Sequence, residues 1–153
     1  DRLTAGFLAR LDAVMTTGPH GRDWAGLMAV SGREGTLRHR LRGTVGEGRF
    51  LGKTGTLDDV TSVVGAVTGA DDRTFHVAVV VNDTGGLGRW RGRFLMDETV
   101  LTIVEELDGC TRAYERPARR ERSWATQGHL AHEWRCTDDA SFPPGRIKRS
   151  LKN

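Results

Sequence analysis

The chain has 153 residues, 37% hydrophobic content, 20 glycines and a formal net charge of +3. This length supports one domain with its own core, and the glycine count implies many turns. There is no uninterrupted run of about 18 apolar residues, which excludes a membrane-spanning helix.

The charge is unevenly placed. Residues 1–109 carry 13 Lys/Arg against 15 Asp/Glu, whereas residues 110–153 carry 10 against 5. The hydrophobic patterning also stops after Leu107-Asp108-Gly109, so the sequence divides into an organised part, 1–109, and a basic tail, 110–153. The first residue is Asp1 and no charged segment leads into an apolar one. The chain is therefore expected to be truncated or processed, and its start says nothing of a compartment. Cys110 and Cys136 are the only cysteines. They permit one disulfide without demanding it.

In chain order, Leu3, Phe7, Leu8, Leu11, Val14 and Met15 recur at helical spacing and predict a helix over 3–17 with one apolar stripe, ended by Gly18-Pro19. A short apolar stretch follows at Trp24–Val30, then a turn-rich loop, Ser31-Gly32-Arg33-Glu34-Gly35. Thr36 can cap a short helix to Leu41, stopped by Gly43. Arg49–Leu57 reads as extended. Val60–Thr68 and Thr74–Asn82 are rich in Val and Thr and read as a hairpin turning at Gly69–Arg73, where Asp71-Asp72 supply turn chemistry. The nearly continuous apolar run Phe75–Val81 predicts a central strand covered on both faces. Helical spacing returns at Phe94–Leu107 through Leu95, Met96, Val100, Ile103, Val104 and Leu107. The fold class is α+β, three antiparallel strands flanked by helices. Residues 110–153 show no sustained period, with Trp124 and Trp134 isolated among Arg, Gly, Pro and polar residues, and are expected to be loose.

The chemically distinctive feature is Gly52-Lys53-Thr54-Gly55-Thr56-Leu57. Lysine is scarce, occurring only at 53, 148 and 152, so a compact ammonium between glycines stands out from the arginine that carries most of the charge. A Lys-Thr-Gly strand is one of three motifs of serine acyl-transferases that handle penicillin-like substrates. The other two are Ser-x-x-Lys and Ser-x-Asn. Neither occurs here: the five serines are followed three places on by Glu34, Gly65, Thr126, Pro144 and Asn153, and neither Asn82 nor Asn153 has a serine two places before it. The competing reading is a solvated lysine in a glycine turn.

Met28-Ala29-Val30-Ser31-Gly32-Arg33-Glu34-Gly35-Thr36-Leu37, the Lys53 motif and Val63-Val64-Gly65-Ala66-Val67 together resemble the C-terminal part of D-alanyl-D-alanine carboxypeptidases of the low-molecular-mass class C penicillin-binding type. Val79-Val80-Val81-Asn82 and the Phe94–Leu107 helix keep that family's order, so the likeness covers about residues 3–107. Glu34 stands where the family usually has Asp, and Asp58-Asp59 replace smaller residues. The resemblance implies an incomplete peptidase domain whose nucleophile and Ser-x-Asn regions lie upstream. It implies a serine-type D-Ala-D-Ala carboxypeptidase or endopeptidase acting on peptidoglycan stem peptides, inhibited by β-lactams, placed outside the cytoplasm and needing no metal or organic cofactor. It gives Lys53 positive potential for the substrate's terminal carboxylate and Thr54 a hydrogen bond to it. Gly55 would let the substrate backbone approach, and the Thr56 N–H would be an oxyanion donor. The alternative is a non-catalytic remnant or a module that binds cell-wall ligands.

Other candidates read more plainly. Ser31 lacks the Gly-x-Ser-x-Gly setting of an activated nucleophile and reads as a turn serine. His76 reads as a packed or surface-facing strand residue rather than a base, and His20 and His39 as solvated. His129, His132, Cys136 and Cys110 lack the regular paired spacing of a zinc site. Arg112, Arg116, Arg119, Arg120 and Arg122 read as a solvated basic stretch rather than a nucleic-acid contact, having no recognition fold around them.

Overall fold

A computed structural model describes residues 3–83, 88–114 and 132–136. Helix α1 (Ala5–Thr17) starts where the Thr4 hydroxyl accepts the Phe7 N–H at 3.1 Å, satisfying one of the donors a helix start leaves over. A short helix α2 (Gly21–Gly26) and a two-residue strand β1 (Ala29–Val30) follow. The expected helix after Thr36 is instead a single 3₁₀ turn, Gly35–Leu37, entered from Glu34. Gly35 sits at φ +61° there, and the chain leaves helical geometry once Leu37 is buried.

The sheet is built from β1, β2 (Phe50–Thr56), β3 (Thr61–Thr68) and β4 (Thr74–Val81), antiparallel throughout and in that order. It therefore has one strand more than the pattern predicts, because two residues are too few to show a period. The register pairs Lys53 with Val64, Thr54 with Val63, Gly55 with Ser62 and Thr56 with Thr61. Asp58 and Asp59 fall in the β2–β3 turn, which the Leu57 N–H closes on the Val60 carbonyl at 2.8 Å.

The apolar run Phe75–Val81 is not central: β3 occupies that place, and β4 is an edge among the described residues. Its side chains are half-buried at best, with Phe75 54% exposed. The run is apolar because helices lie over both faces. Val77, Val79 and Val81 pack against the main core while His76 faces α1.

Helix α3 (Gly88–Asp108) buries Met96, Val100, Leu101, Val104 and Leu107 against Val63, Val67 and Phe50. These spacings of three and four residues place one face on the sheet. Burial of each large apolar side chain stabilises by about 1.5–3 kcal/mol, so this face holds the core. The end of α3 is fastened to both hairpin and sheet. Asp108 accepts from the Ala70 N–H at 2.7 Å and from Arg49 at 2.9 Å, and Arg73 donates to the Leu107 carbonyl at 2.7 Å.

Beyond residue 109 the expectation of a loose tail fails for two segments. Strands β5 (Cys110–Tyr114) and β6 (His132–Cys136) pair antiparallel, and Cys110 and Cys136, opposite each other in the register, form a disulfide. Trp134 is 5% exposed and belongs to the core. Arg112, read as solvated, is held by Glu98 and Glu105 of α3 at 2.6 Å each, and the Trp134 Nε1–H donates to Glu105 at 2.6 Å. Burial works against the Arg112 charge, but these carboxylates more than offset it and raise its pKa above the ordinary value. Arg116, Arg119, Arg120, Arg122, Trp124 and His129 lie outside the described residues.

Candidate functional site

Strand β2 carries the Lys-Thr-Gly motif along a backbone edge that is partly open. β1 pairs only with Leu51 and Gly52, so Lys53–Thr56 face no further strand on that side among the described residues. Alternation along the strand sends Lys53 and Gly55 to one face, and Thr54 and Thr56 to the other. The Lys53 side chain is exposed, and its ammonium donates to the Thr54 carbonyl at 2.8 Å. Thr54 is half-buried, and its hydroxyl donates to the Thr36 hydroxyl at 2.9 Å. A Cβ at Gly55 would stand 2.5 Å from the Ser62 Oγ on the neighbouring strand, so a side chain there would have to displace that hydroxyl.

Thr54 and Thr56 line a cleft of about 390 Å³ between β2, the first half of α3 and the loop after Thr36. Trp90 and Phe94, one turn apart on α3, stack with ring centroids 6.0 Å apart and form one wall. Thr36, His39 and Arg40 form another, and Arg40 closes it with a fork onto Asp97 at 2.8 and 2.7 Å. Asp97 is 6% exposed, so its charge is held by that pair within α3's core-facing side. The sequence singles out Lys53, Thr54, Gly55 and Thr56, and the structure sets all four on one open strand edge. Thr36, Arg40, Asp97, Trp90 and Phe94 escaped the sequence reading. The available signal was an aspartate one place from Met96, on the apolar face of a helix.

Ser31 is fully buried. It donates to the Gly46 carbonyl at 2.6 Å and accepts the Phe50 N–H at 3.1 Å, so its hydroxyl braces the loop. His76 pairs through Nδ1 with buried Asp12 at 2.7 Å, and the same carboxylate accepts the Trp24 Nε1–H at 2.8 Å. His20 and His39 are exposed. Cys110 and Cys136 are bonded to each other. Among the described residues no group of three or more His, Cys, Asp and Glu is placed to hold a metal, and no helix is long and apolar enough to cross a membrane.

The sequence model of the D-Ala-D-Ala carboxypeptidase 3 (S13) family matches residues 1–101, which is more than half of the chain. The chain belongs to that family. The match takes in α1, the whole sheet and most of α3, and ends before the ribbon β5–β6. No curated protein matches the chain.

Proposed function

We propose that residues 1–109 form the substrate-holding part of a serine-type D-Ala-D-Ala carboxypeptidase or endopeptidase of the cell envelope, and that 110–153 is an appended basic segment. The observation that carries this reading is the family match over a sheet whose Lys53–Thr56 edge lies open beside a cleft. An extended peptide ending in D-Ala-D-Ala lies along that edge, and β-lactams take the same place. Lys53 gives the terminal carboxylate a positive field, and Thr54 donates a hydrogen bond to it. Gly55 keeps the strand surface low, and the Thr56 N–H stabilises the oxyanion.

The nucleophile comes from outside these 153 residues, because no Ser-x-x-Lys occurs in them. Its hydroxyl attacks the carbonyl of the D-Ala-D-Ala bond while a base takes the proton. The C–N bond breaks and D-Ala leaves as the protonated amine. Water then hydrolyses the acyl-enzyme ester. Neither a metal nor an organic cofactor enters this scheme. The missing serine also favours a second reading, a module that binds cell-wall peptides without cleaving them.

Two measurements separate these readings. The 153-residue chain alone should form no denaturation-stable adduct with a labelled penicillin, and a covalent band on pure protein would overturn the assignment of the nucleophile. In a chain that includes the serine-bearing region, Lys53→Ala should lower kcat/KM by about 10²–10³, the usual effect of removing a group aimed at developing charge. Unchanged turnover would make the tripeptide incidental, and failure of that longer chain to acylate would favour the binding module.

A further inference from the structure

Thr36 combines an exposed side chain with a backbone fixed from both sides. On one side Gly35 lies at φ +61°, where a Cβ would come within 2.7 Å of the Ala29 Cβ, so a close approach to β1 sets the entry to the turn. On the other side Leu37 is 1% exposed, and its carbonyl accepts from the Gly32 N–H at 3.0 Å and the Arg40 N–H at 2.9 Å. Arg40 then fastens the loop to α3 through Asp97 and through the Arg93 carbonyl at 3.2 Å. These contacts hold an exposed hydroxyl 2.9 Å from the hydroxyl of Thr54. Binding residues are disproportionately found on loops that a rigid scaffold positions.

A pair of hydroxyls 2.9 Å apart has one donor and one acceptor, and each can serve as either. We propose that Thr36 is a positioning residue which decides what Thr54 offers to a ligand. When a carboxylate enters beside β2, Thr36 turns to donate to the Thr54 oxygen, and the Thr54 proton is released towards the ligand. The chain Thr36 O–H, Thr54 O–H, carboxylate is polarised in one direction, and each bond strengthens the next. With its oxygen already accepting from Thr36, Thr54 presents a proton. The site then favours an end that only accepts, a free C-terminal carboxylate, over a carboxamide whose NH₂ needs an acceptor. This deepens the proposed function by naming the source of its preference for a free C-terminus, and it rests on that reading.

The test is a titration of the 153-residue chain, followed by backbone amide NMR, with N-acetyl-D-Ala-D-Ala and separately with the C-terminal amide of the same dipeptide. Wild type should favour the acid by about tenfold, equivalent to about 1.4 kcal/mol. Thr36→Val, which keeps the shape and removes the hydroxyl, should bring the two affinities within about twofold, and Thr36→Ser should restore the preference. Thr36→Val and Thr54→Val should each lose the preference, and the double variant should lose no more than either alone. A Thr36→Val protein that retains the wild-type spectrum and the wild-type acid-to-amide ratio overturns the role of Thr36 and leaves the peptidase reading standing. Wild type that binds neither dipeptide overturns both.

Discussion

The two faces of the sheet are closed by different physics. Towards α3, Val63 and Val67 meet Met96, Val100, Leu101 and Val104, and each of these six side chains is at most 1% exposed. Towards α1, the one buried helical residue is Asp12. The apolar stripe of that helix stays largely open, with Leu3, Phe7, Leu11 and Val14 between 38% and 67% exposed and only Leu8 and Met15 half-buried. Asp12 joins α1 to β4 through His76 and to α2 through Trp24. The first face is held by non-directional burial, which tolerates small shifts. The second depends on a few directional bonds around a buried carboxylate, which lose most of their value once one partner is gone.

The sharpest way to break this contrast is to weaken each face once. Leu101→Ala should cost about 2–5 kcal/mol, because it removes apolar contacts and leaves a cavity beside residues that cannot collapse into it. Chemical denaturation would read this as a loss across the whole described unit, and hydrogen exchange should accelerate in β2, β3 and α3 together. A cost below about 1 kcal/mol would show that α3 does not carry the core.

Asp12→Ala should cost less, about 1–3 kcal/mol, the usual penalty for leaving buried polar groups without their partner. The damage should also be local. Exchange should accelerate in α1 and α2, while the interior of β3 and the middle of α3 keep their protection. If Asp12→Ala destabilises α3 as much as Leu101→Ala does, the two faces form one cooperative unit and the comparison fails.

The sequence carried the α3 face well and the other face badly, for the same reason. Met96, Val100, Leu101, Val104 and Leu107 repeat at helical spacing because one continuous surface is buried, and periodicity detects that directly. In the α1 stripe four of the six periodic residues are exposed and only Leu8 and Met15 are half-buried, and the anchor is an aspartate that hydropathy counts against burial. The Phe75–Val81 run misled in a related way: apolar continuity reports cover on two faces, and β4 has that cover while lying at the sheet edge. At the site, Lys53–Thr56 was legible because its residues are consecutive. Thr36 and Asp97 were not, since they reach the same cleft from 18 and 43 positions away from Thr54 in the sequence. The ribbon was missed because two five-residue strands far apart in the chain show no period, and what joins them, the antiparallel ladder, the Cys110–Cys136 disulfide and the burial of Trp134, is long-range.

The smallest expected effect lies at Asp71, on the solvent side of the hairpin turn that the end of α3 fastens. The Asp71 carboxylate accepts from the Arg73 side chain and, at 3.1 Å, from the Arg73 N–H. First the side-chain bond and then the backbone bond hold its pKa below the ordinary 3.8. The folded state thus binds this proton less readily than the unfolded chain does. The stabilisation is fully present above the ordinary carboxylate value and is lost as pH falls through the lower folded value. Asp71 is open to solvent, and such pairs are weak, so Asp71→Asn should shift the unfolding midpoint only slightly at pH 7. That small difference should shrink as pH falls below 3.8 and disappear once wild type is protonated as well. Salt should screen it too, because the pair is exposed. A large midpoint shift at pH 7 would mean that the hairpin turn is coupled to the core through Arg73 and its bond to the Leu107 carbonyl at the end of α3. The tip of the sheet would then belong with the α3 face in the comparison.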